Sequence, residues 1–130
     1  LAMIHYNKGM AGWSDTPEET LAVSERLFLK AIELDDSLGP AYGFLGLIYL
    51  ARQEYDKALG YASRAIEITP GNAATLAYAS LINTYSGAPE RGLQLIQRAI
   101  QLDPSAVWFV HPLGVARIFL GAYEDAISNY

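Results

Sequence analysis

Residues 40–70 read PAYGFLGLIYLARQEYDKALGYASRAIEITP, and the spacing of their apolar side chains decides the fold. Tyr42, Leu45, Gly46 and Tyr49 are separated by 3, 1 and 3 positions, which gathers them on one face of a helix with about 3.6 residues per turn. Ala58, Ala62, Ala65 and Ile66 gather in the same way on a second helix. The polar residues Arg52–Glu54 make the turn between them. Small side chains at Gly46, Ala58 and Ala65 let two helix backbones approach, while the Tyr and Leu rings and branches fill the space around them. One such hairpin cannot bury both of its faces, so the pattern predicts neighbours of the same kind.

The chain supplies them at a fixed spacing. Ala31, Ala65 and Ala99 recur at 65 − 31 = 34 and 99 − 65 = 34. Pro70 and Pro104 keep the same interval, as do Gly12 and Gly46, and Ala58 and Gly92; Gly46 to Gly114 and Ala58 to Ala126 are twice it. A helix-turn-helix unit of about 34 residues resembles the tetratricopeptide repeat. That family's pattern places Trp or Tyr, Leu, Gly, Tyr, Ala, an aromatic, Ala and Pro at set positions. The second repeat meets it with Tyr42, Leu45, Gly46, Tyr49, Ala58, Ala65 and Pro70, and departs at Ala62, where an aromatic is usual.

The resemblance implies an all-α solenoid of helical hairpins, about three and a half repeats in a right-handed superhelix. The repeats are expected over about 5–38, 39–72, 73–106 and, incomplete, 107–130. The opening Tyr6, Gly9, Trp13 and Thr16-Pro17-Glu18, leading into Ala31-Ile32-Glu33-Leu34-Asp35, is also similar to the helical arms of bacterial adenylate-cyclase-like and winged-helix signalling proteins. That likeness implies a regulatory or oligomerising arm of a larger protein.

Composition narrows the function. At 130 residues and 52% apolar the chain can build one domain and is too apolar to be disordered. No run of 18 apolar residues predicts a membrane span. The absence of cysteine removes disulfides and thiolate chemistry and fits a reducing, cytoplasmic setting. A net charge of −5, with nine scattered basic residues, disfavours nucleic acid as a partner. The chain opens at Leu1 and stops at Tyr130 inside a helical pattern, and is expected to be a piece of a longer protein.

Taken in order, the first helix is expected over Ala2 to about Ser14 and the second from Thr16-Pro17-Glu18-Glu19, a capping box with proline at the first helical position, to about Asp35. Helices are then expected over Pro40–Ala51, Tyr55–Ile68, Ala73–Tyr85 and from a Ser86–Pro89 turn to Leu102. In the third repeat Ser80 stands at the Gly position, Asn83 at the Tyr position and Gly92 at the Ala position. Pro112 lies inside the next helical pattern and predicts a late start near His111 or a kink. Gly121-Ala122-Tyr123-Glu124-Asp125-Ala126 predicts one more turn and the start of another helix.

Nothing in the chain assembles a reaction centre. His5 and His111 lack an acidic neighbour three or four positions on, and read as surface or packing groups. Glu18-Glu19, Asp35-Asp36 and Glu124-Asp125 sit at expected helix ends and read as solvated charge. Gly43 and Gly46 follow no strand, so they are not a nucleotide fingerprint. The chain is expected not to be an enzyme and to need no cofactor or metal.

The family likeness further implies that repeat positions 2, 5, 9, 12 and 13 look into a concave groove. In this sequence those positions hold Leu47 and Leu50, then Ala77, Leu81, Thr84 and Tyr85, then Trp108, His111, Val115, Ile118 and Phe119, with Trp13 from the first repeat. Heat-shock-chaperone-binding members use Lys, Asn and Arg there to grip a terminal carboxylate, and this chain has no such clamp. The groove is therefore expected to be apolar and to take a protein or peptide partner, as a helix or an extended segment. Coverage by other repeats, or a homodimer using this groove or the incomplete last repeat, is the competing expectation.

Overall fold

The computed structural model describes residues 17–128, and all of the elements described are helical. In chain order they are α1 (Pro17–Leu34), α2 (Gly39–Ala51), α3 (Tyr55–Ile68), α4 (Ala73–Tyr85), α5 (Pro89–Leu102), a short 3-10 turn (Val107–Phe109) and α6 (Val110–Ser128). The expected first helix over Ala2–Ser14 lies outside the described residues. α2 pairs with α3, α4 with α5, and α2, α4 and α6 stack on one another as an inner layer. This is a solenoid of helical hairpins.

The turns repeat as faithfully as the helices. After α2 the left-handed residue is Gln53 (φ 63°), and after α4 it is Gly87 (φ 97°), 87 − 53 = 34 positions on. Each lets the following amide reach back over the helix end: Glu54 N donates to the Tyr49 carbonyl at 2.9 Å, and Ala88 N to the Asn83 carbonyl at 2.8 Å. Between hairpins, Asp35 and Asp103 end their helices alike. Each carboxylate accepts from the serine two positions on, Ser37 N at 3.0 Å and Ser105 N at 3.3 Å. Asn72 caps α4 by accepting from Thr75 N at 3.0 Å.

Two clusters form the core. One holds Leu21, Phe28, Ala41, Phe44, Leu45 and Ile48 between α1 and α2. The other spans α3, α4, α5 and the 3-10 turn around Leu76, Ile82, Leu95, Ile96 and Phe109. Leu47 packs against both, so the core is continuous along the stack.

Within each hairpin the closest approach is a pair of small residues. In α2–α3 a Cβ on Gly46 would stand 3.2 Å from the Ala58 carbonyl oxygen. In α4–α5 the sizes are exchanged. Ser80 takes the first position and donates to the Gly92 carbonyl at 2.7 Å, and a Cβ on Gly92 would fall 1.9 Å from Thr84 Oγ1 and 2.9 Å from the Ser80 carbonyl. What reads in sequence as a degenerate third repeat is a compensated pair, with glycine moved from one helix to the other.

The last repeat keeps the late start expected near His111 but not the expected turn. After the 3-10 turn α6 begins at Val110, which puts Pro112 in its first turn, where a missing amide costs no intrahelical bond. The turn expected at Gly121-Ala122 does not form, and α6 runs through it to Ser128. Gly121 lies 121 − 87 = 34 positions after Gly87, so the signal was in register.

Gly92→Ala should destabilise the domain by about 1–3 kcal/mol, because the methyl meets a backbone carbonyl as well as the Thr84 hydroxyl. Urea denaturation followed by circular dichroism measures it.

Candidate functional site

Charge is divided between the layers. α2 and α4 contain no Asp, Glu, Lys, Arg or His, whereas α1, α3 and α5 carry charges of both signs. α2 and α4 thus present an uncharged wall, while α6, the third inner helix, carries His111, Arg117 and Glu124. On the wall, α4 displays Ala74, Tyr78, Leu81 and Tyr85 at spacings of 4, 3 and 4, a single helical stripe. Trp108, Pro112, Val115 and Phe119 follow in the same register 34 positions on, and Pro40, Phe44, Leu47 and Ala51 precede it.

The stripes touch through their rings. Phe28 of α1 stacks on Phe44 with centroids 5.1 Å apart, Phe44 meets Tyr78 at 4.7 Å, and Tyr78 stacks on Trp108 at 5.4 Å. Further along, Tyr85 and Phe119 meet edge to face at 5.3 Å. Trp108 (44%), Tyr85 (43%) and Phe119 (39%) keep much of their surface open, while Leu47, Leu50, Leu81 and Val115 are half-buried.

Two of the expected lining residues are not on this wall. Ala77 and Thr84 are fully buried. Ala77 belongs to the core cluster, and Thr84 faces Gly92 across the α4–α5 contact. Their positions in the repeat point at neighbouring helices and not into a groove. The equivalent His111 and Ile118 on α6 are exposed because no described helix follows α6 to cover them. Trp13 lies outside the described residues. Conversely, Tyr78 and Phe44 were missed, although 78 − 44 = 34 and both are aromatic. Tyr78 also covers Gly43, where a Cβ would sit 3.0 Å from its ring.

The polar side chains of the wall are nearly all spoken for. Tyr42 donates to the Asp36 carbonyl at 3.4 Å, the Thr75 hydroxyl pairs with that of Thr69 at 3.1 Å, and Asn83 donates to the Ala79 carbonyl at 2.8 Å. Tyr49 donates to Glu25 of α1. Glu25 also accepts from Arg52 Nη1 at 3.0 Å, and Arg52 Nε lies 2.9 Å from Glu18. Burial pushes the Glu25 carboxyl up, but the hydrogen bonds from Tyr49 and Arg52 outweigh it and hold the group below its ordinary value. The Tyr49 phenol, donating to that carboxylate, is pushed up to about 12. This cluster is a staple between α1 and α2. Among the described residues no three His, Asp or Glu side chains group to hold a metal, and no helix is long and apolar enough to cross a membrane.

Residues 39–72 match the family model described as tetratricopeptide repeat. The chain has the tetratricopeptide-repeat fold. Solved structures agree. The first TPR domain of human RPAP3 superposes with a TM-score of 0.71 at 12% identity, covering 95% of each chain. The first TPR of Spaghetti (RPAP3), solved bound to the HSP90 peptide SRMEEVD, gives 0.69 at 12% identity, covering 92% of this chain and 95% of that one. An O-GlcNAc transferase of Thermobaculum terrenum gives 0.67 at 22% identity over 88% of this chain and 22% of that one.

In sequence, peroxisomal targeting signal receptors are similar. That of Candida glabrata is 30% identical over 128 residues, covering 95% of this chain and 21% of the receptor. That of Eremothecium gossypii is 29% identical over 103 residues, covering 78% of this chain and 17% of the receptor. The chain spans about a fifth of the length of these relatives, which are fungal. The likeness to bacterial signalling arms rests largely on Tyr6, Gly9, Trp13 and Thr16, outside the described residues.

Glu25→Gln should cost about 1–3 kcal/mol at pH 7, because Arg52 Nη1 and the Tyr49 hydroxyl lose their ionised acceptor and Arg52 keeps only the exposed Glu18. A carboxyl held low contributes stability above its unfolded value near 4.5 and loses it as the pH falls through the folded value. The variant and the parent should therefore differ most near neutral pH and converge in urea titrations as the pH falls below 4.5 and through the folded Glu25 value.

Proposed function

We propose that the chain is a non-catalytic protein-interaction scaffold that holds an apolar segment of a partner protein against the inner face of α2, α4 and α6. The observation that carries this is the segregation of charge: two successive inner helices are wholly uncharged, yet Tyr85, Trp108 and Phe119 remain open on their side. Large aromatics exposed on a rigid surface are the usual anchors of protein interfaces. The tetratricopeptide fold, and the peptide held by a structural neighbour, support a peptide- or protein-binding role without specifying an apolar ligand. α2 and α4 lack the cationic residues that a terminal carboxylate or acidic peptide would need.

On an array of N-acetylated, C-amidated nonapeptides, the protein should select uncharged apolar sequences. Leu81→Asp and Phe119→Asp should each weaken the best of these at least tenfold, by fluorescence anisotropy, with helical circular dichroism unchanged. Unaltered affinity would place the site elsewhere.

A second reading, self-association, is favoured by α6. Val107 (82% exposed), Val110 (69%) and Ile118 (71%) stand in solvent, and nothing lies within 4 Å of where a Gly114 Cβ would be, whereas its counterpart Gly46 is covered. Apolar side chains left open on a surface favour association. If this face pairs two copies, light scattering at micromolar concentration shows a dimer that Val110→Asp dissociates. A monomer in both proteins removes the second reading.

A further inference from the structure

Basic residues that lie scattered along the sequence come into line on the outer helices. Lys30 of α1, Arg64 of α3 and Arg98 of α5 are spaced at 64 − 30 = 34 and 98 − 64 = 34 positions. Each immediately precedes the alanine of the repeat register, and Ala65 and Ala99 are fully buried. One residue turns a helix by about 100°, so the three cations share one flank of their helices, and all three are exposed. Four positions further on, the same flank carries Leu34, Ile68 and Leu102, the last residue of each helix. Leu34 is 77% exposed and Leu102 47%. The outer edge therefore repeats one unit, a cation followed by an aliphatic side chain.

Helix stability does not call for this arrangement. The helix dipole acts within the last turn, and no basic residue lies in the last turn of α1, α3 or α5. Arg64 reaches Glu67 at 3.3 Å, an exposed pair that contributes little. Lys30 and Arg98 form no ion pair among the described residues. Gln101 stands where α1 and α3 have Glu33 and Glu67, so the positive charge is least compensated on α5. An open leucine beside an unpaired guanidinium suits a ligand that is acidic and apolar at once.

We infer that this flank docks an acidic, leucine-containing segment of another protein, with carboxylates on Lys30, Arg64 and Arg98 and apolar side chains on Leu34, Ile68 and Leu102. Nucleic acid is held by dense positive charge or stacking rings, and the flank offers neither. Anionic membranes are met by clusters of about four to eight cations, whereas here three cations alternate with Glu33 and Glu67. The net charge of −5 opposes an acidic partner at long range. At about 0.1 M salt, charges more than about 10 Å away are largely screened, so the groups in contact decide the outcome. The cations lie on α1, α3 and α5 and the groove on α2, α4 and α6, so the two sites are separate and the scaffold can hold a partner at each.

The test uses the 130-residue chain and a fluorescein-labelled, C-amidated peptide of glutamate pairs separated by leucines, with a glutamine version as control. Fluorescence anisotropy at about 0.1 M salt should show the glutamate peptide bound and the glutamine peptide bound at least about tenfold more weakly. Arg64→Gln and Arg98→Gln should each weaken binding about two- to fivefold, the scale of one exposed ion pair. Leu102→Ser should weaken it as much. The triple variant Lys30→Gln/Arg64→Gln/Arg98→Gln should lose it, with helical circular dichroism unchanged. No binding of the glutamate peptide, equal binding of the glutamine peptide, or a triple variant that binds like the parent would overturn the inference. Leu102→Ser binding like the parent would overturn it too, because the flank would then read charge alone. Duplex DNA or phosphatidylserine vesicles bound more tightly than the peptide, and released by the same three substitutions, would give the flank to that ligand and reject the protein segment.

Discussion

The fold depends on how closely the two helices of each hairpin approach. At that contact one side chain must be nearly absent and its neighbour small, and the protein meets the condition twice with opposite assignments: Gly46 against Ala58, then Ser80 against Gly92. The summed volume is what the packing holds constant, since cores tolerate exchange of size better than change of size. The repeat length follows from the same condition. Inserting a single residue into a helix turns its later positions by about 100° and would carry the small residue off the contact.

Close approach also explains where the charge goes. An inner helix here packs against its own partner and against the inner helices before and after it, so a charge on α2 or α4 would have to be desolvated on several sides. In the first two hairpins charge sits on the outer helices α3 and α5, as it does on α1, and the inner layer carries it only on α6, where Arg117 and Glu124 are exposed. The one strong electrostatic feature at the wall's edge, Glu25 with Tyr49 and Arg52, draws its carboxylate from α1 and its cation from the residue after α2. It fastens the first described helix to the stack without putting charge on the wall.

Most of the fold was legible because its determinants are local and repeated. The 34-residue register, Asn72, Pro70 and Pro104, and the turn residues set helix ends that differ from expectation by a residue or so. The lining of the site was less legible. Assigning Ala77 and Thr84 to the groove treated the inner helix as if it had one open face, whereas those positions meet a following helix or Gly92. Tyr78 was overlooked because a position that is core in one repeat, as at the buried Phe44, is half open in the next. The run of α6 through Gly121 was illegible for a different reason: a turn signal specifies where a chain can turn, and the return helix must bury enough surface to make it do so.

An uncharged wall has consequences for recognition. Long-range steering needs unscreened charge, and a surface without it neither accelerates encounter nor distinguishes partners at a distance. Discrimination is left to contacts at van der Waals and hydrogen-bond range, where a ring offers area at low rotamer cost and a phenol adds one directional donor. Tyrosine suits such a wall better than lysine or asparagine. Its polar atom is carried at the tip of an apolar body that neighbouring rings can clamp, as Phe44 and Trp108 clamp Tyr78. The restriction that lets the helices stack, excluding charge from their inner faces, therefore also limits what they can hold to segments that are themselves uncharged.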